Sequence, residues 1–505
     1  MGPLLTRPRP AAAQPPATRL QRAVAAALAC LGQRGPGQRL GGVAVVCKAE
    51  EAFAIRAATA RAADCTLDMQ YYVWRGDLTG RLLAREVLRA ADRGVAVRML
   101  LDDVFAIGHE RALAALDAHP GIEVRLFNGT RWRRFGRWGY ALEIAFGGWH
   151  LTHRMHNKNW IADGEAAIVG GRNIGNEYFG LESDGTVSFR DLDLVLAGAP
   201  ARGASEVFER YWTSRLTRPS EQLSAAGARR GMLEKLREDL EVAATEPEAQ
   251  RLLAPLAYHP ARHIRRGLTP VAHDAVRVVA DAPEKAKRGL GARKRARAAG
   301  GIAAEIADAL REAKREVRLI SPYFVPGRAG LALLREIIAR GVKVSVVTNS
   351  LAATDVVAVH GGYMHYRRPL LRAGCALFEL KPGPSEEGAS MFGSRGGAAL
   401  HTKALVVDGL RAFVGSFNLD PRSAALNTEM GAFVQNPAVA REVAEEQQRL
   451  MDPAISWRLE LQDGRLAWCD EVEGAPRRLH TEPGASWRRW AIATLARVLP
   501  VEEQL

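Results

Sequence analysis

Cysteine is scarce in this chain, and the few cysteines present do not cluster. Five occur among 505 residues, and no two of them have a C-x-x-C spacing. Structural zinc sites and disulfide frameworks both require closely and regularly spaced cysteines. The sequence therefore predicts neither kind of site, and the cysteines are expected to be packing residues or free thiols.

Long apolar runs are lacking as well. No stretch reaches the roughly 18 apolar residues that a membrane-spanning helix needs, so any membrane contact is expected to be peripheral. The segment 20–31 weakly resembles the apolar part of a signal peptide, but it is short and rich in alanine. A leader with a small amphipathic helix is the favoured interpretation, and export is the less favoured one.

Acidic residues are outnumbered by basic ones. The chain has 70 lysines and arginines against 56 aspartates and glutamates, which gives a formal charge of +14. Such an excess predicts an anionic partner: nucleic acid, an anionic bilayer or a phosphorylated substrate. Charge does not choose among these, but 47% apolar and 25% charged residues are typical of a folded protein of two or more domains.

The most informative feature is the motif H-x-K-x4-D, which occurs twice. The copies are His156, Lys158 and Asp163 in the first half and His401, Lys403 and Asp408 in the second. A strand-like run and a turn of small residues follow each copy and lead to Asn173 or Asn418. Both intervals are 245 residues (401 − 156 and 418 − 173), so the chain carries an internal repeat.

The repeat extends upstream of the motif. Each half runs through a strand, a helix, an Arg-Gly that ends the helix, and a buried strand, which predicts α/β lobes with sheets covered by helices. The expected divisions are a leader over 1–37, a first lobe over 38–218, a helical connector over 219–270, a second lobe over 271–452, and a tail with an amphipathic helix over 453–505.

The spacing of histidine and lysine has a chemical meaning. Residues i and i+2 of a β-strand point to the same face, so each His-Lys pair is expected to face one pocket. Lysine is a strong partner for phosphate oxygens, and histidine can attack phosphorus or shuttle a proton near neutral pH. The odd spacing of Asp163 and Asp408 directs them to the other face, which predicts a structural role in the turn.

These motifs and turns resemble those of the phospholipase D superfamily. The resemblance implies two similar α/β lobes related by pseudo-twofold symmetry, with mixed sheets flanked by helices and one active site at the lobe interface. It also implies a ping-pong reaction in which His156 attacks a phosphodiester and His401 serves as acid and base. One departure is Gly171, which stands where the family usually has serine, as Ser416 does in the second half.

The resemblance implies further site residues. Glu429, in Asn-Thr-Glu, matches the family's orienting acid; in the first half Asp191 is favoured to orient the first histidine, with Asp193 as the alternative. The groups expected to hold the phosphate oxygens are Lys158, Lys403, Asn173, Asn418 and Ser416. No metal or other cofactor is expected, because two lysines supply the positive charge and no carboxylate cluster has ligand spacing.

Several segments narrow the resemblance to the C-type branch of bacterial cardiolipin synthases, among them 154–158, 170–179 and 349–355. That branch implies transfer of a phosphatidyl group, with phosphatidylethanolamine as the expected donor, to phosphatidylglycerol. The expected location is the bacterial cell membrane, bound peripherally to an anionic surface. The alternatives are a phospholipase D-type phosphodiesterase that hydrolyses phospholipids and a nuclease of the same superfamily, although no nucleic-acid-binding module is recognisable.

Lipid and membrane contacts are predicted at four places, each with ordinary packing or a solvated loop as the alternative. Aromatic residues that could line a lipid cleft are Tyr71, Tyr72, Tyr323, His360 and Tyr363. Membrane contacts are expected from the amphipathic segment 487–499 and from Trp132, Trp138 and Trp149. A basic loop over 281–300 could contact anionic headgroups through Lys285, Lys287, Arg288, Arg293, Lys294, Arg295 and Arg297.

Overall fold

The computed structural model describes residues 17–30, 40–130, 132–146, 152–181, 188–222, 231–257, 267–286, 300–383, 398–472 and 474–498. Its strands are β1 (Leu40–Val46), β2 (Thr66–Tyr71), β3 (Ala96–Asp102), β4 (Ile122–Phe127), β5 (Asn159–Ala162), β6 (Ala166–Gly170), β7 (Ser188–Arg190), β8 (Asp193–Gly198), β9 (Thr217–Pro219), β10 (Thr269–Ala272), β11 (Val276–Ala280), β12 (Glu316–Ile320), β13 (Lys343–Asn349), β14 (Ala376–Leu380), β15 (Ala398–Leu400), β16 (Ala404–Val407), β17 (Arg411–Gly415), β18 (Met430–Gln435), β19 (Ser456–Gln462), β20 (Arg465–Val472) and β21 (Ala475–Leu479).

The α-helices cover the faces of the sheets. They are α1 (Arg19–Cys30), α2 (Ala49–Ala62), α3 (Leu78–Asp92), α4 (Asp103–Ala106), α5 (Glu110–Asp117), α6 (Gly136–Ala145), α7 (Ala199–Trp212), α8 (Met232–Ala243), α9 (Pro247–Leu253), α10 (Ile302–Glu312), α11 (Gly327–Ala339), α12 (Val357–Tyr363), α13 (Arg367–Ala373), α14 (Pro421–Ala425), α15 (Pro437–Leu450) and α16 (Trp487–Val498).

The two large sheets have the same strand order. The first runs β10-β1-β8-β6-β5-β2-β3-β4-β9, and the second runs β11-β18-β17-β16-β12-β13-β14-β19-β20-β21. In each, three neighbouring strands are parallel, β2-β3-β4 and β12-β13-β14, and the rest of the matching part is antiparallel. The seven strands β1-β8-β6-β5-β2-β3-β4 therefore correspond in order to β11-β18-β17-β16-β12-β13-β14, which is the sequence repeat seen in three dimensions.

The predicted helix stops lie where expected. Helices α3 and α11 have Arg93 and Arg340 at their C-caps, and the glycines that follow, Gly94 and Gly341, have φ values of 93° and 90°. Glycine adopts this left-handed conformation without steric cost, so it ends both helices and turns the chain into β3 and β13. The mixed α/β fold with two similar lobes is confirmed.

The lobes share a core. One apolar cluster contains Val169 and Leu194 from the first sheet and Val414 and Ala432 from the second, all at most 1% exposed. Burial of apolar surface from both halves in this one cluster stabilises the contact between the lobes. The ends of β6 and β18 lie close together as a result. A small third sheet, β7 parallel to β15, also joins the lobes.

Residues at both ends of the described chain pack against the lobes. Within the segment 453–505, strands β19, β20 and β21 extend the second sheet from β14, and β19 pairs antiparallel with β14. Alternating apolar residues of β19 such as Trp457 and Leu459 are buried there, so β14 is not an edge strand. Within 17–30, α1 buries Leu20, Val24 and Ala27 against the first lobe.

Candidate active site

Backbone pairing between the lobes positions both histidines. The N–H of His156 donates to the carbonyl of Thr428 in the second lobe at 2.8 Å, and the N–H of His401 donates to the carbonyl of Arg190 in the first lobe at 2.8 Å. Thr428 and Arg190 each immediately precede a carboxylate residue. The chain therefore presents each histidine to an acid from the opposite lobe.

The carboxylate partners are exchanged relative to the prediction. His156 Nδ1 lies 2.9 Å from Glu429 Oε2, and His401 Nδ1 lies 2.5 Å from Asp191 Oδ2. The expectation that Asp191 orients the first histidine is wrong, because each acid follows a residue whose backbone pairs with the histidine segment of the other lobe. The sequence spacing within one half cannot reveal a contact that forms across the interface.

Asp193, the alternative acid, has another function. Its carboxylate forms ion pairs with Arg56 at 3.0 Å and Arg172 at 3.2 Å, and all three side chains are buried. Arg172 also donates to the carbonyl oxygen of Asp191. Asp193 and Arg172 thus fix the backbone that carries Asp191, rather than contacting a histidine.

The His-Lys pairs lie just outside regular strands. His156 and Lys158 occupy an extended segment that ends where β5 begins, and His401 and Lys403 precede β16 in the same way. The prediction that they lie within a strand is therefore wrong in detail, since these segments pair with the opposite lobe. The ammonium groups fold back on the backbone: Lys158 Nζ donates to the carbonyl of His156 at 2.8 Å, and Lys403 Nζ donates to that of His401.

Burial dominates the electrostatics of the site. It lowers the pKa of His156 and His401 well below the usual range, and the neighbouring charges of both Lys158 and Lys403 lower them further. Both lysines therefore lie close enough to each histidine to lower its pKa. Burial also lowers the pKa of Lys158 well below its usual range and that of Lys403 to about 8.

The pKa values of the two carboxylic acids shift in the opposite direction, upwards. Burial raises the pKa of Glu429 to about 7, against the lowering effects of Lys158 and a hydrogen bond from Ser416. Burial likewise raises the pKa of Asp191, against Lys403 and Arg172. Because Nδ1 of each histidine faces a carboxylate, Nε2 is the nitrogen left to face a substrate.

The predicted phosphate-binding residues differ in the hydrogen bonds that they already form. Asn173 accepts from the N–H of Val73 and donates to the hydroxyl of Tyr178 at 2.9 Å, whereas Oδ1 of Asn418 is buried without a hydrogen-bond partner among the described residues. Ser416 has one hydroxyl proton, and it donates that proton to Glu429. The expected hydroxyl contact from Ser416 to phosphate is therefore replaced by a contact that positions the acid.

The motif aspartates lie in the turns after β5 and β16. Asp163 accepts from the backbone N–H groups of Asp64, Cys65 and Thr66, and Asp408 accepts from those of Lys314, Arg315 and Glu316. Their own φ values are 52° and 55°. Each side chain therefore ties a turn to the start of β2 or β12, away from the histidines.

Sequence reasoning missed a second pair of equivalent residues. Asp102 ends β3 and accepts from the N–H of Met155 at 2.9 Å, while Asn349 ends β13 and accepts from the N–H of Leu400 at 2.9 Å. Each fixes the residue immediately before a motif histidine. The available signal was the repeat itself, since 349 − 102 and the spacing of the Arg-Gly stops, 340 − 93, are both 247.

Aromatic rings pack against both histidines. Tyr72 lies edge-on to His156, with ring centroids 5.0 Å apart, and His401 lies 5.2 Å from Tyr178 and 4.9 Å from Phe189. Of these three only Tyr72 was anticipated. Such rings fix the orientation of the imidazoles and limit the access of water.

The other four residues predicted to line a lipid cleft are held by packing or by hydrogen bonds to neighbouring side chains. Tyr71, His360 and Tyr363 are buried, which contradicts a position in an open cleft. Tyr323 donates its hydroxyl to Asp355 at 2.8 Å. His360 belongs to a group with Glu379 and Glu482 that could geometrically hold a metal, but the guanidinium of Arg367 already bonds all three side chains, so the group is a buried ion-pair network.

The basic loop and the tryptophans, which were both predicted to contact the membrane, lie in different environments. Lys285 is buried and bonds to Asp281 Oδ2 at 2.7 Å and to the carbonyl of Ser423 at 2.8 Å, so it does not face headgroups. The other six basic residues of that loop lie outside the described residues, as does Trp149. Trp132 and Trp138 are exposed.

A duplicated α/β fold with one shared centre of two histidines and two lysines is the arrangement of the phospholipase D superfamily. The family described as "Cardiolipin synthase, PLD-like domain" matches residues 57–212 and 306–451. The chain belongs to this family of phospholipase D-like cardiolipin synthases. It is thus an enzyme of the phospholipase D superfamily, of the phosphatidyltransferase type.

Individual relatives agree with this assignment. The chain is 38% identical to "Cardiolipin synthase C" of Escherichia coli (strain K12) over 95% of its own length and 99% of the relative. It is 26% identical to "Cardiolipin synthase A" of Pseudomonas entomophila (strain L48) over 80% of its length and 67% of the relative. The fold is similar to that of the phosphatidylserine synthase of Haemophilus influenzae Rd KW20, with a TM-score of 0.58, 14% identity, and coverage of 95% of this chain and 100% of that one.

Proposed function

We propose that the protein transfers a phosphatidyl group from phosphatidylethanolamine to phosphatidylglycerol and so makes cardiolipin and ethanolamine. The observation that carries the proposal is the crossed pairing of His156 with Glu429 and of His401 with Asp191. It leaves both Nε2 atoms facing one centre that is lined by two buried lysines. The resemblance to C-type cardiolipin synthases supports the choice of donor and acceptor.

In the first half-reaction, Nε2 of His156 attacks phosphorus and the bond from phosphorus to the ethanolamine oxygen breaks. His401, carrying a proton on Nε2, transfers it to that oxygen, so ethanolamine leaves as a neutral alcohol. The phosphatidyl group remains bound to His156 as a phosphohistidine. The negative charge of the bound phosphodiester offsets the two lysine charges that lower the pKa of His401, and the contact with Asp191 stabilises its charged form. Glu429 holds the proton on Nδ1 of His156.

In the second half-reaction, the neutral His401 removes the proton from a hydroxyl of phosphatidylglycerol. The resulting oxygen attacks phosphorus and breaks the phosphorus–nitrogen bond, which restores both histidines to their starting states. Water at the acceptor position would give phosphatidic acid instead. The balance between transfer and hydrolysis therefore depends on which acceptor reaches His401.

The two acid contacts support His156 as the nucleophile. Asp191 Oδ2 approaches His401 at 2.5 Å, while the Glu429 oxygen that faces His156 at 2.9 Å also accepts the hydroxyl of Ser416. A shorter contact with an oxygen that is not shared favours the protonated imidazole, since charge-assisted hydrogen bonds are the stronger ones. His401 is thus the better resting acid and His156 the better neutral nucleophile.

The lysines and asparagines complete the phosphate site in this proposal. Lys158 and Lys403 supply positive charge to the nonbridging oxygens as charge redistributes in the transition state. Asn418 and the second amide hydrogen of Asn173 add neutral donors.

Product analysis tests the proposal. Incubation of the protein with labelled phosphatidylethanolamine and phosphatidylglycerol is expected to give cardiolipin and ethanolamine in equal amounts. Phosphatidic acid with ethanolamine would identify a hydrolase, and cleavage of plasmid DNA without added metal would identify a nuclease. Absence of both lipid products in protein that cleaves DNA would overturn the assignment.

We also propose that the protein binds the membrane peripherally through two apolar surfaces. No helix of the described residues has the length and hydropathy needed to cross a bilayer. The first surface, here the α6 stripe, consists of Trp138, Leu142 and Phe146, which recur every four residues and are 80%, 44% and 78% exposed. The second, the α16 stripe, consists of Trp487, Trp490 and Leu495, which are 74%, 51% and 62% exposed.

Equivalent anchors support a joint function for the two stripes. Buried Arg133, just before α6, donates to the carbonyl of Asp103 after β3, and buried Arg489 of α16 donates to the carbonyl of Leu351 after β13. Strands β3 and β13 correspond in the repeat, and their ends also carry Asp102 and Asn349 beside the site. The stripes thus flank the active centre, where a bilayer would supply both substrates.

Sedimentation with vesicles of phosphatidylethanolamine and phosphatidylglycerol tests the membrane contact. Replacing Trp138 and Phe146, or Trp487 and Trp490, by serine is expected to weaken vesicle binding about tenfold or more. Leu410→Ser, at an apolar residue that is 48% exposed in the turn after Asp408, is the matched control. Equal binding by all three variants would contradict the assignment of these surfaces.

A further inference from the structure

An apolar cavity lies in the first lobe beside the active site. It is lined by residues of β3, α3, α5 and α8, and its volume is about 80 Å³. Its interior is formed by buried side chains such as Met99, Leu101, Leu113, Leu116 and Leu240. Walls formed mainly by apolar side chains with few polar groups suit an apolar ligand, and a cavity this small suits a segment of an alkyl chain.

Tyr72 connects the cavity to the reacting groups. Its ring lines the cavity, lies edge-on to His156 at 5.0 Å between centroids, and lies 5.2 Å from Lys158 Nζ. Asp102, which holds the N–H of Met155, also lines the cavity. A ligand in the cavity would therefore be separated from the nucleophile by one side chain.

The mouth of the cavity is open to the outside, and an ion pair links its rim to the segment that precedes α6. Phe105 is 37% exposed and packs edge-on against Tyr72 at 4.7 Å, and His109 and Ala112 at the mouth are exposed as well. Glu110, at the start of α5, pairs with Arg133 beside α6 at 3.3 Å. The mouth therefore lies on the part of the first lobe that also holds the start of α6.

The corresponding position in the second lobe carries a larger side chain. The spacing of 247 residues between the helix stops places Leu331 of α11 at the position of Ala84 of α3, which lines the cavity (84 + 247 = 331). Helix α12 also approaches α16 so closely that a Cβ on Gly361 would lie 2.4 Å from the carbonyl oxygen of Ala493. The two lobes therefore differ in the size of the side chain at this position and in how closely the following helix is covered.

We infer that this cavity binds one acyl chain of the phospholipid whose phosphate reacts with His156. The inference rests on the proposed function. Burying methylene groups supplies binding energy remote from phosphorus, which can position the phosphate against Nε2. Because the cavity lies on the side of the nucleophile, its occupant is the donor lipid.

Filling the cavity tests the inference. Ala84→Leu and Ala112→Phe are expected to lower kcat/KM for dioleoyl phosphatidylethanolamine about tenfold, while dihexanoyl phosphatidylethanolamine and bis(p-nitrophenyl) phosphate are turned over as before. The control is Ala114→Phe, on α5 but outside the cavity lining. Unchanged turnover of bis(p-nitrophenyl) phosphate shows that the variants fold and keep the catalytic groups.

The outcomes separate this inference from the proposed function. Failure of the unsubstituted enzyme to make cardiolipin from either donor would refute the proposed function. Normal cardiolipin synthesis, with the same effect of the cavity variants on both chain lengths or no effect on either, would refute the cavity. As a second measurement, phosphatidylethanolamine with a diazirine at the end of one acyl chain is expected to label residues 99–116; labelling confined to the α6 and α16 stripes would overturn the inference.

Discussion

The two halves of the active site use different combinations of acid and turn residue. In the first half the turn has Gly171, and a Cβ there would lie 2.3 Å from Asp191 Oδ1. In the second half the turn has Ser416, whose hydroxyl donates to the longer acid, Glu429. The departure from the family's usual serine at Gly171 is therefore a steric requirement: the short acid fills the space that a side chain would take.

This comparison shows how a duplicated site can become asymmetric without losing its geometry. Both histidines keep a carboxylate at Nδ1, but only one carboxylate oxygen is shared with a hydroxyl. The same centre can therefore hold one histidine as nucleophile and the other as acid. Substitutions in one half of the active site, compared with the matching substitutions in the other half, test this asymmetry.

Removal of a histidine has the largest expected effect. His156→Ala and His401→Ala should each reduce cardiolipin synthesis from phosphatidylethanolamine on the order of 10⁴-fold or more, because the two imidazoles act as a unit. A donor with p-nitrophenol as the leaving group distinguishes them, since nitrophenolate departs without a proton. His401→Ala should give a burst of nitrophenolate and His156→Ala none; a burst from His156→Ala alone would reverse the assignment.

Exchange of the turn residues should affect the halves unequally. Gly171→Ser should displace Asp191 and lower kcat on the order of 10²-fold, because small displacements of catalytic groups have large effects. Ser416→Gly should lower kcat only about tenfold. Equal losses from the two turn variants would contradict the steric explanation.

The pH dependence of activity should show the ionisation of one group on its acidic side and of another group on its alkaline side. Glu429, with a pKa of about 7, must be ionised to orient His156, and Lys403, with a pKa of about 8, must be charged to bind phosphate. Activity should therefore fall below about pH 7 and above about pH 8. Ser416→Gly removes a hydrogen bond that lowers the pKa of Glu429, so the acidic limb should move to higher pH.

Lys403→Arg provides the matching test of the alkaline limb. Guanidinium stays charged throughout this range, so the part of the alkaline loss that Lys403 causes should disappear even if the maximal rate is lower. Lys158, whose pKa burial also lowers, still loses its charge as the pH rises. An unchanged alkaline limb would show that another group controls it. Kinetics of kcat/KM against pH for the two variants and the unsubstituted enzyme make this comparison.

The motif aspartates should behave alike and affect stability instead of chemistry. Asp163→Ala and Asp408→Ala each remove an acceptor for three backbone N–H groups and should lower the free energy of unfolding by about 2 kcal/mol. Turnover below the unfolding transition should change less than about threefold. Asp163→Asn and Asp408→Asn are the controls, since asparagine tolerates the left-handed backbone; a loss of turnover in folded protein would contradict a structural role.

The repeat explains what could be predicted from sequence. Matching spacings in the two halves indicated the α/β lobes, the helix stops at Gly94 and Gly341, and the set of histidines and lysines. The pairing of acids with histidines could not be predicted, because it depends on strands that meet across the interface. Tyr178 and Phe189 were missed for the same reason: no sequence spacing places them beside His401.

The central claim is that one site is built across two lobes with His156 as its nucleophile. Its most direct test is to mix the His401→Ala variant with phosphatidyl-p-nitrophenol and map the covalent adduct by peptide mass spectrometry. The variant should form the intermediate but lack the base that activates the acceptor, so a phosphatidyl adduct should accumulate on the peptide that contains His156. An adduct elsewhere, or nitrophenolate release with no adduct, would contradict the account.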